Sequence, residues 1–284
     1  MDQFQKSNNP LAAFFRQPKI FISLPSKGRF YPEGALEKTE NGEYPVFAMT
    51  AKDELLFKTP DALMNGSATV EVVKSCIPAI KDPWKMPSID LDAVLIAIRL
   101  ATYGPEMDVE TTCPNCGEKE DKAADLRQLL DNLRDLEFTE KVDVGTDMVI
   151  YIKPMAYSEI SKASIKTMEQ QRIFGIVNDD TISEEDKVKL FQQSFVKLTD
   201  ITIDVVAQCI NKIETNNGST DNLEFIKEFL ANTDRKIFDL VNEHVKSMQV
   251  KSKMKALDTT CNECNHPYKL EISFDQSDFF GSGS

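Results

Sequence analysis

Two short stretches, Glu110-Thr-Thr-Cys-Pro-Asn-Cys-Gly117 and Asp258-Thr-Thr-Cys-Asn-Glu-Cys-Asn265, decide how this chain folds. Each runs acid, Thr, Thr, Cys-x-x-Cys and then Gly or Asn, so the two form a local internal repeat. A Cys-x-x-Cys turn can aim two sulfurs at one point, and a Gly or Asn after the second Cys tolerates a left-handed backbone. The two knuckles together predict one tetrahedral, structural zinc site with Cys113, Cys116, Cys261 and Cys264 as its ligands, at zinc-to-sulfur distances of about 2.3 Å. Four thiolates leave no open coordination position for activating water, so the site is expected to be structural and not catalytic.

Between Cys116 and Cys261 lie 144 residues, far more than a zinc ribbon needs, which implies an inserted domain. The entropy of closing such a loop grows only logarithmically with length, and a structural zinc contributes on the order of 10–16 kcal/mol in small peptides, so a metal can clamp the ends of the insertion together. The spacing of apolar residues and turn signals divides the chain accordingly. Residues 1–18 read as a flexible polar arm carrying one apolar patch, Leu11 to Phe15, and 19–105 as a β/helical domain. Residues 106–155 plus 251–277 make a composite zinc-ribbon-like module, 156–250 a helical insertion, and 278–284 a flexible tail. The fold class expected is α+β, mostly helical, with the small β module split by the insertion.

Local signals fill in these parts. Strands are expected at Lys19 to Leu24 and Tyr44 to Met49, and Thr50 with Asp53 three residues on is a helix start. Leu91, Val94, Leu95 and Ile98 recur at helical spacing, with Ser88 and Asp90 as caps, Gly104 at the stop and Arg99 placed near the C-terminal end of the dipole as a structural cation. Strands flank both cysteine pairs, at 107–112 and 119–124 and again at 255–260 and 267–274, and 138–144 pairs with 148–152 across Gly145. From Tyr157 to about Val250 the reading is almost wholly helical. One face there runs through Val188, Phe191, Phe195, Leu198, Ile201, Val205, Cys209 and Ile213, and predicts an antiparallel bundle packed on its own aromatics, Phe225, Phe229 and Phe238 included.

Of 284 residues 41% are hydrophobic, and 46 Asp+Glu against 33 Lys+Arg give a net charge of −13. That charge repels phosphate backbones and anionic lipid surfaces, so neither a nucleic acid nor a membrane is expected as partner, and a basic protein is. No apolar run reaches the length of a membrane span, and Met1 to Arg16 lacks the order of a secretory signal, so a reducing cytoplasm is the expected compartment. Cys76 and Cys209 stand alone in apolar surroundings and read as inert buried thiols. His266, two residues past Cys264, reads as a turn histidine before a ligand, and His244 shows no evident partner. Glu184, Glu185 and Asp186 open a helix, where acids are favoured electrostatically. No phosphate-binding glycine loop, Gly-x-Ser-x-Gly elbow or His-Glu-x-x-His pair occurs, so no catalytic residue is assigned.

The ordered features Leu24-Pro-Ser-Lys-Gly-Arg-Phe-Tyr-Pro32, Met49-Thr-Ala-Lys-Asp-Glu54, Leu91-Asp-Ala-Val-Leu-Ile-Ala-Ile-Arg-Leu-Ala-Thr-Tyr-Gly104 and Thr112-Cys-Pro-Asn-Cys-Gly117 resemble those of T4-type bacteriophage baseplate hub subunits or hub-assembly proteins, over about residues 19 to 155. The resemblance implies a non-enzymatic phage protein that builds the baseplate hub, either as a subunit or as a chaperone for hub or tape-measure components. It implies other tail and hub proteins as partners, and the host cytoplasm, then the virion tail, as location. Two readings from other classes stand beside it. A zinc-ribbon nucleic-acid or transcription module is opposed by the acids around the knuckles, Glu110, Glu118, Glu120, Asp121, Asp258 and Glu263. A thiol-redox enzyme would need a low-pKa, accessible cysteine in a thioredoxin-like setting.

Overall fold

Alternation of Ile20 and Ile22 inward with Lys19 and Phe21 outward makes β1 (Pro18–Ser23), and Tyr44 and Val46 do the same for β2 (Glu43–Phe47), which pairs with it antiparallel. A computed structural model gives these placements and describes residues 10–11, 14–134, 136–145, 147–177, 183–251 and 256–270. The arm before residue 10 and the tail after 270 thus lie outside the described residues, as does the continuation of the last strand to Phe274.

Helix α1 (Ala51–Phe57) starts on a complete capping box, Thr50 and Asp53 each satisfying the other's backbone amide. It is followed by α2 (Pro60–Met64), α3 (Ser67–Cys76) and α4 (Ser88–Tyr103). Helix α4 is buried almost all round, Ala93 to Ile98 without a break, as befits the central helix of a core. Its N-cap is Pro87, which supplies no side-chain cap, so the capping role expected for Ser88 and Asp90 is not what they do. Asp90 is instead fully buried and accepts hydrogen bonds from the Ser26 amide, the Ser26 hydroxyl and the Tyr31 hydroxyl at 2.7, 2.6 and 3.0 Å. The loop that brings them holds Lys27, Gly28 and Phe30 at φ of 55°, 74° and 69°. Arg99 is buried over the Tyr103 ring, and that burial lowers its pKa.

The hairpin β3 (Glu106–Thr112) and β4 (Lys119–Asp125) leads into α5 (Leu126–Arg134), whose Leu126, Leu129 and Leu133 complete the first core. Then come β5 (Lys141–Asp143), β6 (Met148–Ile152), α6 (Tyr157–Val177), α7 (Glu184–Gln208), β7 (Ile210–Thr215), β8 (Gly218–Thr220), α8 (Leu223–Asn232), α9 (Arg235–Lys251), β9 (Leu257–Thr260) and β10 (Pro267–Leu270). The class is α+β, with three two-stranded sheets and one of four strands in the order β5-β6-β7-β8 among the described residues. No helix among the described residues is long and apolar enough to cross a membrane.

Two expectations for 156–250 need correction. The apolar face read through Cys209 and Ile213 as helix ends at Gln208, and the next residues are strand β7, paired to β6 with Ile150 opposite Ile213. Apolar residues four apart fit either period, and here the partner strand decides. The second correction concerns the aromatics. The second core is built from Ile150, Ile152, Val206, Ile210, Ile226, Leu230, Val241 and Val245 with Phe229 and Phe238 against it, while Phe191, Phe195 and Phe225 are exposed.

The two cores meet where Ser88 donates its amide to Met155 and Tyr157 donates its own to Met86, at 2.8 and 2.9 Å. Gly66 lies against the same joint at φ +79°, and a Cβ there would come within 2.9 Å of the Tyr157 hydroxyl and 3.2 Å of Ser161 Oγ. Gly66→Ala combines a left-handed penalty of about 1–2 kcal/mol with a displaced Tyr157. A loss of about 2–3 kcal/mol in urea unfolding is expected. A midpoint equal to that of the parent protein would show that the joint is slack.

Candidate metal centre

Each knuckle is a hairpin turn held by its own backbone. In the first, Cys113 donates its amide to Glu118 at 2.8 Å and Gly117 donates to Cys113 at 3.0 Å. In the second, Cys261 donates to His266 and Asn265 to Cys261, both at 3.0 Å. Gly117 and Asn265 both take the left-handed backbone, at φ of 76° and 56°, that the repeat predicts. Strand rungs close the turns at equivalent places, Thr112 opposite Lys119 and Thr260 opposite Pro267. The repeat in sequence is therefore a repeat in structure.

The fold brings the two knuckles together, and the four sulfurs of Cys113, Cys116, Cys261 and Cys264 all lie within 4.8 Å of one another. Cys113 and Cys264 are 3.7 Å apart, and Cys116 and Cys261 3.6 Å. A disulfide would require about 2.05 Å, whereas a tetrahedral site with metal-to-sulfur bonds of about 2.3 Å has sulfur-to-sulfur edges of about 3.8 Å. The cluster thus has the dimensions of four thiolates around one ion. Cys113 and Cys261 are buried, Cys264 is half-buried and Cys116 is exposed, so the centre sits at the rim of the module.

Without a cation the thiols of such a cluster do not ionise alike. The Asn115 side chain donates to Cys264 Sγ at 3.6 Å and, with the His266 backbone, draws that thiol down to about 6. The Glu118 backbone favours a thiolate at Cys116, but the Cys264, Cys113 and Cys261 sulfurs and burial together outweigh it and push Cys116 up to about 12. Four like charges at this spacing need a cation among them.

A side-chain network beyond the cysteines docks one ribbon on the other. Lys122 donates to the Thr260 carbonyl at 2.7 Å and to Asn262 Oδ1 at 2.8 Å, and pairs with Glu120 at 3.0 Å. Glu120 accepts from the Asn262 amide at 3.1 Å and the Tyr268 hydroxyl at 2.9 Å. Burial works against its charge, but the Asn262 amide, Lys122 and Tyr268 outweigh that and hold its carboxyl below the usual range. The sequence reading took Glu120 as one more flanking acid. The available signal was its spacing: two residues apart on a strand, Glu120 and Lys122 share one face.

The other singled-out residues lie elsewhere. The sulfur cluster does not include His266, whose carbonyl serves to close the knuckle. His244 does have a partner, its Nε2 lying 3.0 Å from the Thr139 carbonyl. Cys76 and Cys209 are buried one in each core, and burial pushes each thiol up to about 12.

Searches among curated proteins and among solved structures find no match. A family model described as T4 bacteriophage base plate protein matches residues 18–281. The match extends well past the 19–155 over which the sequence motifs carry the resemblance, and takes in both knuckles and everything between them. The chain therefore belongs to the T4 bacteriophage base plate protein family.

Proposed function

We propose that the protein is a non-catalytic baseplate component, acting as a hub subunit or as an assembly chaperone for hub or tape-measure proteins, and stabilised by one structural zinc on Cys113, Cys116, Cys261 and Cys264. The observation that carries the reading is the convergence of four sulfurs to within 4.8 Å from knuckles 144 residues apart, inside a chain of baseplate family. An all-sulfur, tetrahedral set favours zinc over the harder divalent ions. The knuckles are a poor nucleic-acid surface, since Lys122 is consumed between the ribbons and Lys119 pairs with Glu110 at 3.8 Å. Other baseplate proteins are the partners, in the host cell during assembly and in the tail afterwards.

Elemental analysis of the purified protein is expected to find one zinc per chain. Four thiols should resist alkylation until a chelator is added, then react together. A metal-free protein with a single fast-reacting thiol at Cys264 would replace this reading with redox chemistry. Tagged protein recovered from infected cells should bring down hub or tape-measure proteins, and recovery of none of them would sink the hub assignment.

A further inference from the structure

Helices α6 and α7 run antiparallel and reach beyond both cores. With 25 residues, α7 is roughly 37 Å long, yet among the described residues only Ile203, Val205, Val206 and Ala207 of it join the second core, and α6 contributes Ile160. Farther out, the buried side chains among the described residues are polar, Gln170 and Ser194, and Gln170 Oε1 has no hydrogen-bond partner. Five apolar residues of this outer part, Met168, Val188, Phe191, Phe195 and Val196, are 45–62% exposed, while Ile165, Leu190 and Leu198 are half-buried. Polar side chains buried beneath an exposed patch of aromatic and aliphatic ones are the reverse of what a helix pair facing water adopts, and such a patch marks an interaction site.

The apolar stripe leads somewhere. Val188, Phe191, Phe195 and Thr199 follow one another at helical spacing, with Val196 and Asp200 beside them; Asp200 lines the groove between α7 and α8, and Thr199 lines the cleft next to it with Leu230 and Phe238. Asp200, Ile203, Asp204, Glu224, Phe225 and Glu228 line that groove, and Phe225 is 60% exposed. Lys166 and Lys227 both turn to Asp204, at 3.6 and 3.1 Å, and Lys227 also reaches Glu224 at 3.4 Å. No ion pair among the described residues engages Asp200 or Glu228. Lys187 and Lys189 share the outer end of α7 with Glu184, Glu185 and Asp186, whereas the groove at its root sets four acids, Asp200, Asp204, Glu224 and Glu228, against Lys166 and Lys227.

We propose that this face docks an amphipathic helix of another protein whose polar flank is basic. The helix lies along α7, its apolar side on Phe195, Val196 and Phe225 and its cations against Asp200, Glu224 and Glu228. Charge decides between occupants: a second copy would bring a further net charge of −13 against the first, whereas a basic helix neutralises the groove. The proposal depends on neither the zinc nor the hub assignment.

The test uses the full chain and a labelled synthetic peptide, a helix with leucines on one face and lysines on its flanks, beside the same peptide with every lysine changed to glutamate. Fluorescence anisotropy is expected to show binding of the lysine peptide alone. Phe195→Ser with Phe225→Ser should weaken it about tenfold or more. Asp200→Lys with Glu228→Lys should weaken it similarly and admit the glutamate peptide. All four positions are exposed, and far-UV circular dichroism checks that the variants remain folded. Failure of the lysine peptide to bind, equal binding of both peptides, or indifference to the substitutions would each overturn the proposal. So would sedimentation showing a wild-type dimer that Phe195→Ser dissociates, which would give the face to a second copy.

Discussion

Cys261→Ser is expected to lower the stability of the zinc-loaded protein by roughly 4–5 kcal/mol, the range in which loss of a metal site belongs and most surface changes do not. The argument starts from what joins the second ribbon to the rest. Among the described residues strands β9 and β10 pair with each other and with no other strand, so no sheet hydrogen bond there ties them to the body. What remains is Leu257 against the first core, the Glu120–Lys122–Asn262–Tyr268 network and the sulfur cluster. A serine hydroxyl is a weak ligand at neutral pH, so three sulfurs would hold the ion less tightly, and the Glu120–Lys122 pair, only 8% and 13% exposed, repays little beyond the burial of its own charges. A chelator should destabilise the parent protein by a similar amount and leave Cys261→Ser unaffected. Cys76→Ser, which inserts a hydroxyl in the first core away from the cluster, should cost only about 1–3 kcal/mol and leave the chelator effect intact. If chelation leaves the unfolding midpoint of the parent unchanged, the ion carries no structural load.

The same site shows where sequence is sufficient and where it is not. The knuckles were legible because the chemistry is local: Cys-x-x-Cys and the Gly or Asn after it set the turn, and a repeat of both names the partner without any knowledge of the path between. The exposed face of α7 was half legible. Periodicity identifies that Val188, Phe191 and Phe195 share a side, but it does not say whether that side meets the core or water, because the covering element is supplied by the tertiary fold. Strand β7 was missed for another reason. Apolar residues four apart, such as Cys209 and Ile213, fit a helix as readily as a strand, and the deciding signal was the run Thr215-Asn-Asn-Gly218, whose Asn216 and Asn217 form a two-residue hairpin turn. Asp90 was misread because acids near a helix start usually cap it, and its partners at Ser26 and Tyr31 are 64 and 59 residues away.

That misreading leads to the second large effect. Asp90→Ala removes the acceptor of the Ser26 amide, the Ser26 hydroxyl and the Tyr31 hydroxyl, all in the first core, and each buried donor left without a partner costs about 1–3 kcal/mol. Rotation of the hydroxyls recovers part of that, so a loss of about 3–5 kcal/mol is expected, with the Leu24 to Tyr31 loop released first. Asp90→Asn keeps an oxygen for the amide and should cost about 1 kcal/mol. The two carboxamide and carboxylate forms also differ in their response to pH. Burial raises the Asp90 carboxyl to about 6, outweighing hydrogen bonds from Ser26 and Tyr31 that favour the charge, while in the unfolded chain it titrates near 3.9. Between these values the folded chain holds a proton that the unfolded chain does not, so this group adds stability as pH falls and loses it as pH rises through about 6. From pH 7 to pH 5 the parent protein should therefore gain roughly 1 kcal/mol relative to Asp90→Asn, opposite in sign to the contribution of Glu120, whose carboxyl is held low. Parallel stability curves for the parent and Asp90→Asn over that range would mean that the three donors keep Asp90 charged, and that the loop is fixed around an anion and not around a shared proton.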